Sequence, residues 1–390
     1  MWRTDRFVSL HQRAMEVWTL IRRLSRINVY AFVLLLVGCN LPLTELAAQP
    51  STLPKSTLVR CGDGVCQAPE NHQRCAQDCP FETRDGGIQH EQPEAVLYLG
   101  IMVHLEGWKD QVDEPGFERH VELVREYADL FEDYGAKLTL ESKELTDGII
   151  QWGDDVLSEM ELRGHGIGVH ADIGGQRDYD CSKFVEELRR ERIQLESLGV
   201  RVRHVSGNTS HCDWVQATIK AGYEFTTGNV AYSVMSLPVE LRPEKYRDCS
   251  APSKCHQTFP EALEDRLHPW RTSDGRDWLR HDPDGDLVIL PSGYVLACMA
   301  EEKMGAGVRN CEFNEKDIEQ FELELKDAIA LSDPQQVNQI YVAWSLGSPL
   351  NQDLLELWLS TIQPYVESGE VVWATLPEIY DAYLVWEQGT

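Results

Sequence analysis

Positive charge is scarce in this chain. Its 390 residues hold 36 Lys and Arg against 64 Asp and Glu, a formal net charge of −28 with a pI near 4.8. A surface of that sign repels phosphate backbones and anionic lipid, which excludes nucleic acid as a partner of the folded part. A bilayer-length apolar run is lacking at the N-terminus: Val29 to Gly38 is about half of the ~20 residues that a spanning helix needs. Lysine is absent before Cys39, where six Arg stand against Asp5 and Glu16. The rest of the chain therefore carries −32. Arg22, Arg23 and Arg26 precede the short apolar run. Basic, then apolar, then small residues is the grammar of a secretory signal.

What the chain does have is cysteine. The apolar run ends Leu36-Val37-Gly38-Cys39, which resembles the lipobox of bacterial lipoproteins. The resemblance implies a signal peptide over 1–38, cleavage before Cys39 and lipidation of its thiol. The protein is then exported and held at the cell envelope, touching membrane through this lipid only. An ordinary signal peptide with an incidental Cys is the alternative. Asn40, rather than Asp, follows the lipidated position and favours the outer membrane where there are two. Ten further cysteines, an even number, suit five disulfides in an oxidising compartment. Local closure pairs Cys249 with Cys255 and Cys298 with Cys311, leaving Cys181 for Cys212.

Residues 39–60 have no helical period and read as a tether. Cys61, Cys66, Cys75 and Cys79 then form a compact unit over 61–80, too short to bury a core without staples. Two disulfides are the expected staples. Zinc is the rival, against which export and the single nearby His72 both count. Asp63, Glu70 and Asp78 are available as oxygen ligands to calcium. The unit is similar to the short Cys-Gly-Asp-Gly-x-Cys modules appended to exported bacterial proteins. A polar linker, 81–94, follows.

From Ala95 strands and helices alternate. The stretch from Leu97 reads as a buried strand that carries His104 and Glu106 at its end and stops at Gly107, Phe117 to Tyr134 as an amphipathic helix, and Lys137 to Leu140 as a short strand. Asp154 to Arg163 is a helix, His165 to Asp172 a strand, and Ser182 to Leu198 a helix. Arg203 to Gly207 is a strand, His211 to Ala221 a helix, and Glu224 to Tyr232 another strand. After a less regular stretch come a strand at Asp286 to Leu290, a helix from Asn314 to Leu331 and a strand from Gln339 to Leu346. A helix over Asp353 to Val366 and a strand over Val371 to Ala374 complete the pattern. About seven such units over about 300 residues call for an α/β fold, a parallel sheet closed toward a barrel, spanning 95–390.

Two strands share one design. The first ends in His104 and Glu106 before Gly107, and the other in His170 and Asp172 before Gly174 and Gly175. Residues two apart point to the same side of a strand. The C-terminal ends of parallel barrel strands converge on one mouth, where two imidazoles and two carboxylates suffice for zinc or a similar divalent metal. His211, after Ser206-Gly207-Asn208-Thr209-Ser210, is a further candidate for a catalytic role at that level. His165 lies on the opposite face from His170 and is assigned to the turn after Gly164. Trp270, Trp278 and Trp344 are candidates for stacking on a sugar, with core packing the commoner fate of Trp.

At these residues the chain resembles the polysaccharide deacetylase (NodB-homology) family. The phrase Tyr127 to Thr139 looks like that family's first helix and second strand, and Leu162 to His170 like its Arg-Gly-His-Glu-Ile-Gly-x-His segment. Trp214 to Tyr223 is similar to the helix after its fourth strand, and Thr375 to Ile379 to its final strand and helix start. The resemblance implies a distorted (β/α)7 barrel and metal-dependent removal of acetyl groups from a polysaccharide or peptidoglycan-type glycan. It also carries departures. The family's Thr-Phe-Asp-Asp-Gly aligns with Val103-His104-Leu105-Glu106-Gly107, so Leu105 stands where a base is expected. In the family's His-x-x-x-His pair His170 is kept and Gly174 replaces the second His. The Arg-Pro-Pro-Tyr-Gly motif is not kept near Val205 to Thr209, and Val342 to Ser345 lacks a His. Two readings follow. In one, Glu106 and His170, with either His104 or Asp172, hold the metal, and His104 or a surplus carboxylate is the base. In the other, the barrel binds glycan or a protein partner and turns over nothing.

Overall fold

The structure, a computed structural model, describes residues 95–291, 293–305, 311–346 and 351–389. The expected signal segment, Cys39, the expected tether, the four-cysteine unit with Asp63, Glu70 and Asp78, and the expected linker lie outside the described residues.

Strand β1 (Leu97–Leu105) is covered on both sides, which is why its sequence is an almost unbroken apolar run. Leu97, Leu99, Ile101, Val103 and Leu105 belong to the core between sheet and helices. Met102, with Tyr98 beside it, belongs to a second core on the inner side of the sheet. The remaining strands are β2 (Thr139–Ser142), β3 (Gly166–His170), β4 (His204–Ser206), β5 (Phe225–Thr226), β6 (Trp270–Thr272), β7 (Leu287–Ile289), β8 (Tyr294–Val295), β9 (Asn338–Ser345) and β10 (Val371–Trp373). The sheet runs β6-β7-β5-β4-β3-β2-β1-β9-β8. All its ladders are parallel except β6 with β7. β9 follows β1 along almost its whole length. β10 takes the start of the other edge, at Leu97 to Leu99, and β2 takes its end, at Met102 to Leu105.

Helices α1 (Glu114–Asp133), α2 (Glu144–Trp152), α3 (Val156–Leu162), α4 (Phe184–Glu196), α5 (Trp214–Ala221), α6 (Met299–Lys303), α7 (Glu315–Leu331), α8 (Gln352–Ser368) and α9 (Leu376–Gly389) complete the architecture. The apolar stripe of α1, including Val121, Val124, Ala128 and Phe131, is buried as its spacing requires. α2 was not legible as a helix, and the strand expected over Glu224 to Tyr232 ends at Thr226, before Gly228 with its φ of +62°. No helix among the described residues is long and apolar enough to cross a membrane.

The expected distorted barrel is present as a curled sheet. Among the described residues no ladder joins its β6–β7 side to its β8–β9 side. The gap is bridged by individual hydrogen bonds instead, among them the Gln339 N–H to the Leu267 carbonyl at 2.8 Å. The Tyr341 hydroxyl accepts from the Gly228 N–H at 2.7 Å, and Gln339 Nε2 donates to the Arg266 carbonyl at 2.7 Å. One end of the interior is plugged by α9, whose Leu376, Ile379, Tyr380 and Tyr383 join Met102, Phe225 and Tyr341 in the inner core. Two glycines make room for it. A Cβ on Gly100 would stand 2.8 Å from Leu376, and one on Gly166 would stand 2.9 Å from Pro377. The inner face therefore begins apolar and becomes polar toward the strands' C-terminal ends.

Cys181–Cys212, Cys249–Cys255 and Cys298–Cys311 are bonded, with Cα separations of 5.6, 6.2 and 5.2 Å. These are the pairs that local closure gave. Trp278 is fully buried and Trp270 stacks near it, while Trp344 packs on Phe131 of α1 at 5.4 Å, so these three serve the core.

His165 does serve the chain after Gly164. Its Nδ1 accepts from the Leu138 N–H at 2.9 Å, so Nε2 carries the proton toward Glu132 Oε1 at 3.0 Å. Burial lowers its pKa to about 4. Glu132 is lowered to about 2, first by its bonds with Arg163 and then by Lys137. Both folded-state values lie below the ordinary 6.5 and 4.5, so both groups take protons more readily in the unfolded chain. The His165 contribution is complete above pH 6.5 and is lost as pH falls through 4. That of Glu132 is lost between 4.5 and 2. Thermal melts from pH 8 to 3 should show the His165→Gln variant losing less stability than wild type between pH 6.5 and 4. Parallel curves would contradict this.

Candidate metal centre

The polar end of the interior gathers the residues that the two strand ends announced. His104 stands one residue before the end of β1 on the face of Gly100 and Met102, with Glu106 just beyond the strand. His170 closes β3, and Asp172 follows at φ +51°, a left-handed conformation that Asp tolerates better than most residues. That backbone is pinned by β4 and its loop: Ala171 N–H donates to the Ser206 carbonyl at 3.0 Å, and Ile173 N–H to the Gly207 carbonyl at 2.9 Å. Gly207 must be glycine, since a Cβ there would lie 2.6 Å from the Asp172 nitrogen.

The rings of His104 and His170 stack at 3.9 Å. His170 Nε2 is 3.1 Å from Glu106 Oε2 and 3.4 Å from Asp172 Oδ1, and His104 Nδ1 is 3.7 Å from Glu106 Oε1. Donor atoms of His104, Glu106 and His170 all lie within 4.8 Å of one another. Ligands of one tetrahedral zinc ion, with bonds of ~2.0–2.1 Å, sit about 3.3 Å apart. The separations of Glu106 from the two imidazoles, 3.1 and 3.7 Å, bracket that value, so these donors suit a divalent cation. Asp172, half exposed, stands at the edge of this group, its Oδ2 paired with Lys143 Nζ at 3.1 Å.

The charges are closely coupled. Burial pushes the Glu106 pKa up, but its bonds with His104 and His170 outweigh this and hold it far below the usual carboxylate range. Burial pushes His170 down, and Asp172 and Glu106 outweigh it, raising the imidazole to about 10. Asp172 is lowered to about 2, chiefly by its bond with His170. A positive charge is thus held between two carboxylates, as a bound cation would be.

Sequence reasoning missed the residue beneath this group. Glu141 of β2 is fully buried and meets no Lys or Arg among the contacts of the described residues. Its Oε2 is 3.2 Å from His104 Nε2 and accepts a short hydrogen bond from Ser206; its Oε1 is 3.2 Å from His204 Nε2 and accepts from Thr227 at 2.7 Å. Burial raises its pKa, and the imidazoles of His104 and His204 more than reverse this. Ser206 is also 2.7 Å from His170 Nδ1. Lys143 and Glu144, at the start of the unread helix α2, were missed as well. Glu144 Oε2 accepts from the Gly107 N–H at 3.2 Å, and burial raises its pKa.

His211 does not join the cluster. Its Nε2 lies 3.7 Å from Cys181 Sγ and 3.9 Å from Cys212 Sγ, and no hydrogen bond or ion pair among the described residues links it to His104, Glu106, His170 or Asp172. Its catalytic assignment is therefore corrected. The disulfide it abuts uses both thiols, so that trio is not a metal site either. Gly174, where a second ligating His was looked for, has no room for a side chain: a Cβ would lie 2.8 Å from Phe184 and 3.0 Å from Ser210.

From Glu106 a groove of about 970 Å³ extends over α1, with Trp108, His120, Tyr127 and Ser345 among its lining. Trp108 stacks on His120 at 3.8 Å, and Asp110, fully buried, holds His120 Nδ1 at 2.6 Å.

No protein-family model matches the chain, and no curated protein is similar to it in sequence. Solved structures are similar to it in fold. One, described as a polysaccharide deacetylase of Mycobacterium smegmatis, is 13% identical with a TM-score of 0.48, over 75% of this chain and 91% of that one. Another so described, from Pseudomonas aeruginosa PAO1, is 15% identical with a TM-score of 0.43, over 73% and 90%. An allantoinase is 13% identical with a TM-score of 0.44, over 74% and 91%.

Proposed function

We propose that the chain is a metal-dependent hydrolase that removes acetyl groups from a glycan at the cell envelope. The observation that carries the reading is the convergence of His104, Glu106 and His170 at the open end of the curled sheet, with Asp172 beside them. Glu106, His170 and His104 would hold the ion, zinc being the choice the donor set favours. A divalent cation there supplies Lewis-acid polarisation of an acyl carbonyl.

The chain's own residues account for the rest. Asp172, outside the trio and half exposed, takes a proton from the attacking water. Water adds to the acyl carbon, the bond from that carbon to the sugar nitrogen or oxygen breaks, and the proton passes to the departing amine or hydroxyl. Lys143, 3.1 Å from Asp172, aims that carboxylate, which His170 chiefly keeps ionised. The groove along His120 and Tyr127 offers ring surface for a sugar chain. The glycan itself rests on the sequence resemblance at Leu162 to His170, and the envelope location on the segment ending at Cys39. The rival reading, a barrel that binds glycan without turnover, is favoured by Leu105 and Gly174 at positions where a base and a ligand were expected, and by the lack of a His over Val342 to Ser345.

Release of acetate from N-acetylated oligosaccharides decides between them. The disulfide-intact, zinc-loaded protein should release acetate, and Glu106→Ala should release none. No acetate from a wild type that holds zinc and binds the oligosaccharide would favour the rival.

A further inference from the structure

We infer that Glu141 is the positioning residue of the metal centre: one buried carboxylate keeps the ring proton of His104 on Nε2 and, through Ser206, that of His170 on Nδ1. The inference rests on the proposed metal site and deepens it.

A neutral imidazole offers a metal only the nitrogen that does not carry its proton, and the partner of the other nitrogen decides which that is. For His104 to present Nδ1 toward Glu106, Nε2 must hold the proton. Glu141 Oε2 stands 3.2 Å from that nitrogen, an ion-pair contact rather than an aligned hydrogen bond, so its negative charge is what favours the proton there. For His170 to present Nε2, which faces Glu106 and Asp172, Nδ1 must hold the proton. Nδ1 is 2.7 Å from the Ser206 oxygen. Ser206 can accept there because its own hydrogen is given to Glu141. Had Ser206 no acceptor beyond it, its hydroxyl could equally turn its hydrogen to His170 and leave Nδ1 bare. Glu141 therefore sets both rings, one directly and one through a hydroxyl.

The other oxygen of Glu141 is fixed independently. Thr227 donates to Oε1 at 2.7 Å, and His204 Nε2 lies 3.2 Å away, its ring stacked on Phe225 at 4.7 Å. Gly168 gives His204 its space, since a Cβ at that position would overlap the ring. The carboxylate thus has one rotameric placement, held from β4, β5 and the chain after it. A fully buried carboxylate is costly unless its acceptor sites are used: Ser206 and Thr227 donate to it, and the imidazoles of His104 and His204 each stand 3.2 Å away as ion-pair contacts.

The test uses the full chain with its disulfides intact. Zinc affinity is measured by competition with a chelator, and the imidazole nitrogen shifts of His104 are read by NMR in the metal-free protein. Wild-type His104 should carry its proton on Nε2. Glu141→Gln keeps the shape but places N–H groups where an acceptor is needed. It should bind zinc about 10–100-fold more weakly and move the His104 proton to Nδ1. Ser206→Ala cuts only the arm to His170. It should weaken zinc binding and leave the His104 proton in place, a pattern that loss of packing alone does not produce. Undiminished zinc affinity in Glu141→Gln, or a wild-type His104 protonated on Nδ1, overturns the inference. If Glu141→Gln does not fold, the wild-type shifts and Ser206→Ala still decide it. A wild type that binds no zinc overturns the proposed function instead, and the metal-free shifts then test the proton assignment alone.

Discussion

Gly168→Ala should destabilise the protein by about 2–5 kcal/mol, far more than an alanine costs at an ordinary strand glycine. The strand β3 is held by β2 and β4 on its two edges, so its backbone cannot retreat. The added methyl would fall on the His204 ring, which cannot retreat either: Phe225 lies 4.7 Å behind it and Glu141 3.2 Å from its Nε2. Displacing the ring costs overpacking strain and also leaves Glu141 short of a partner in a fully buried place. Gly135→Ala is the control. Nothing lies within 4 Å of a Cβ there, and only its φ of +71° is strained, which costs about 1–2 kcal/mol. Urea unfolding of both variants measures the difference. Equal losses would mean that the His204–Glu141 layer contributes little.

Asp172→Asn should lower kcat for acetate release by about 10²–10⁴-fold while zinc content stays at the wild-type level. The substitution keeps the shape of the side chain and removes its ability to accept a proton. It also weakens the contact with Lys143, 3.1 Å away, and relieves none of the backbone strain at φ +51°. Zinc should remain because Glu106, His170 and His104 still converge. Steady-state kinetics on an N-acetylated oligosaccharide, with metal content measured on the same samples, separate the two roles. Loss of zinc from Asp172→Asn with retention in His104→Ala would move Asp172 into the ligand set and His104 out of it.

The chain announces part of this site plainly. A strand covered on both faces reads as an apolar run, so a His or Glu at its end stands out, and β1 and β3 could be paired by that design alone. The three disulfides of the folded unit were legible because each closes locally or is left by those that do. Glu141 was not legible. The strand it belongs to has four residues, too few to establish a period, and was expected to end at Leu140. A single Glu in a short polar-flanked stretch reads as surface, and only the curl of the sheet puts it under His104. Lys143 and Glu144 were hidden for a related reason: α2 carries Gly148 in its middle, which Phe117 and Asp110 require by close approach and which weakens the helical pattern. His211 failed in the opposite sense. Its position after β4 suited the site, but the Cys181–Cys212 bond draws that turn aside, and sequence places the thiols without orienting the imidazole between them.

The central claim is that one divalent cation is held by His104, Glu106 and His170. Zinc titration of the full, disulfide-intact chain, followed calorimetrically and checked by elemental analysis, tests it most directly. The account predicts one ion per chain in wild type and in His211→Ala, and none retained in Glu106→Ala or His170→Ala. A wild type that binds no metal, or an ion that persists in both of the last two variants, would contradict it.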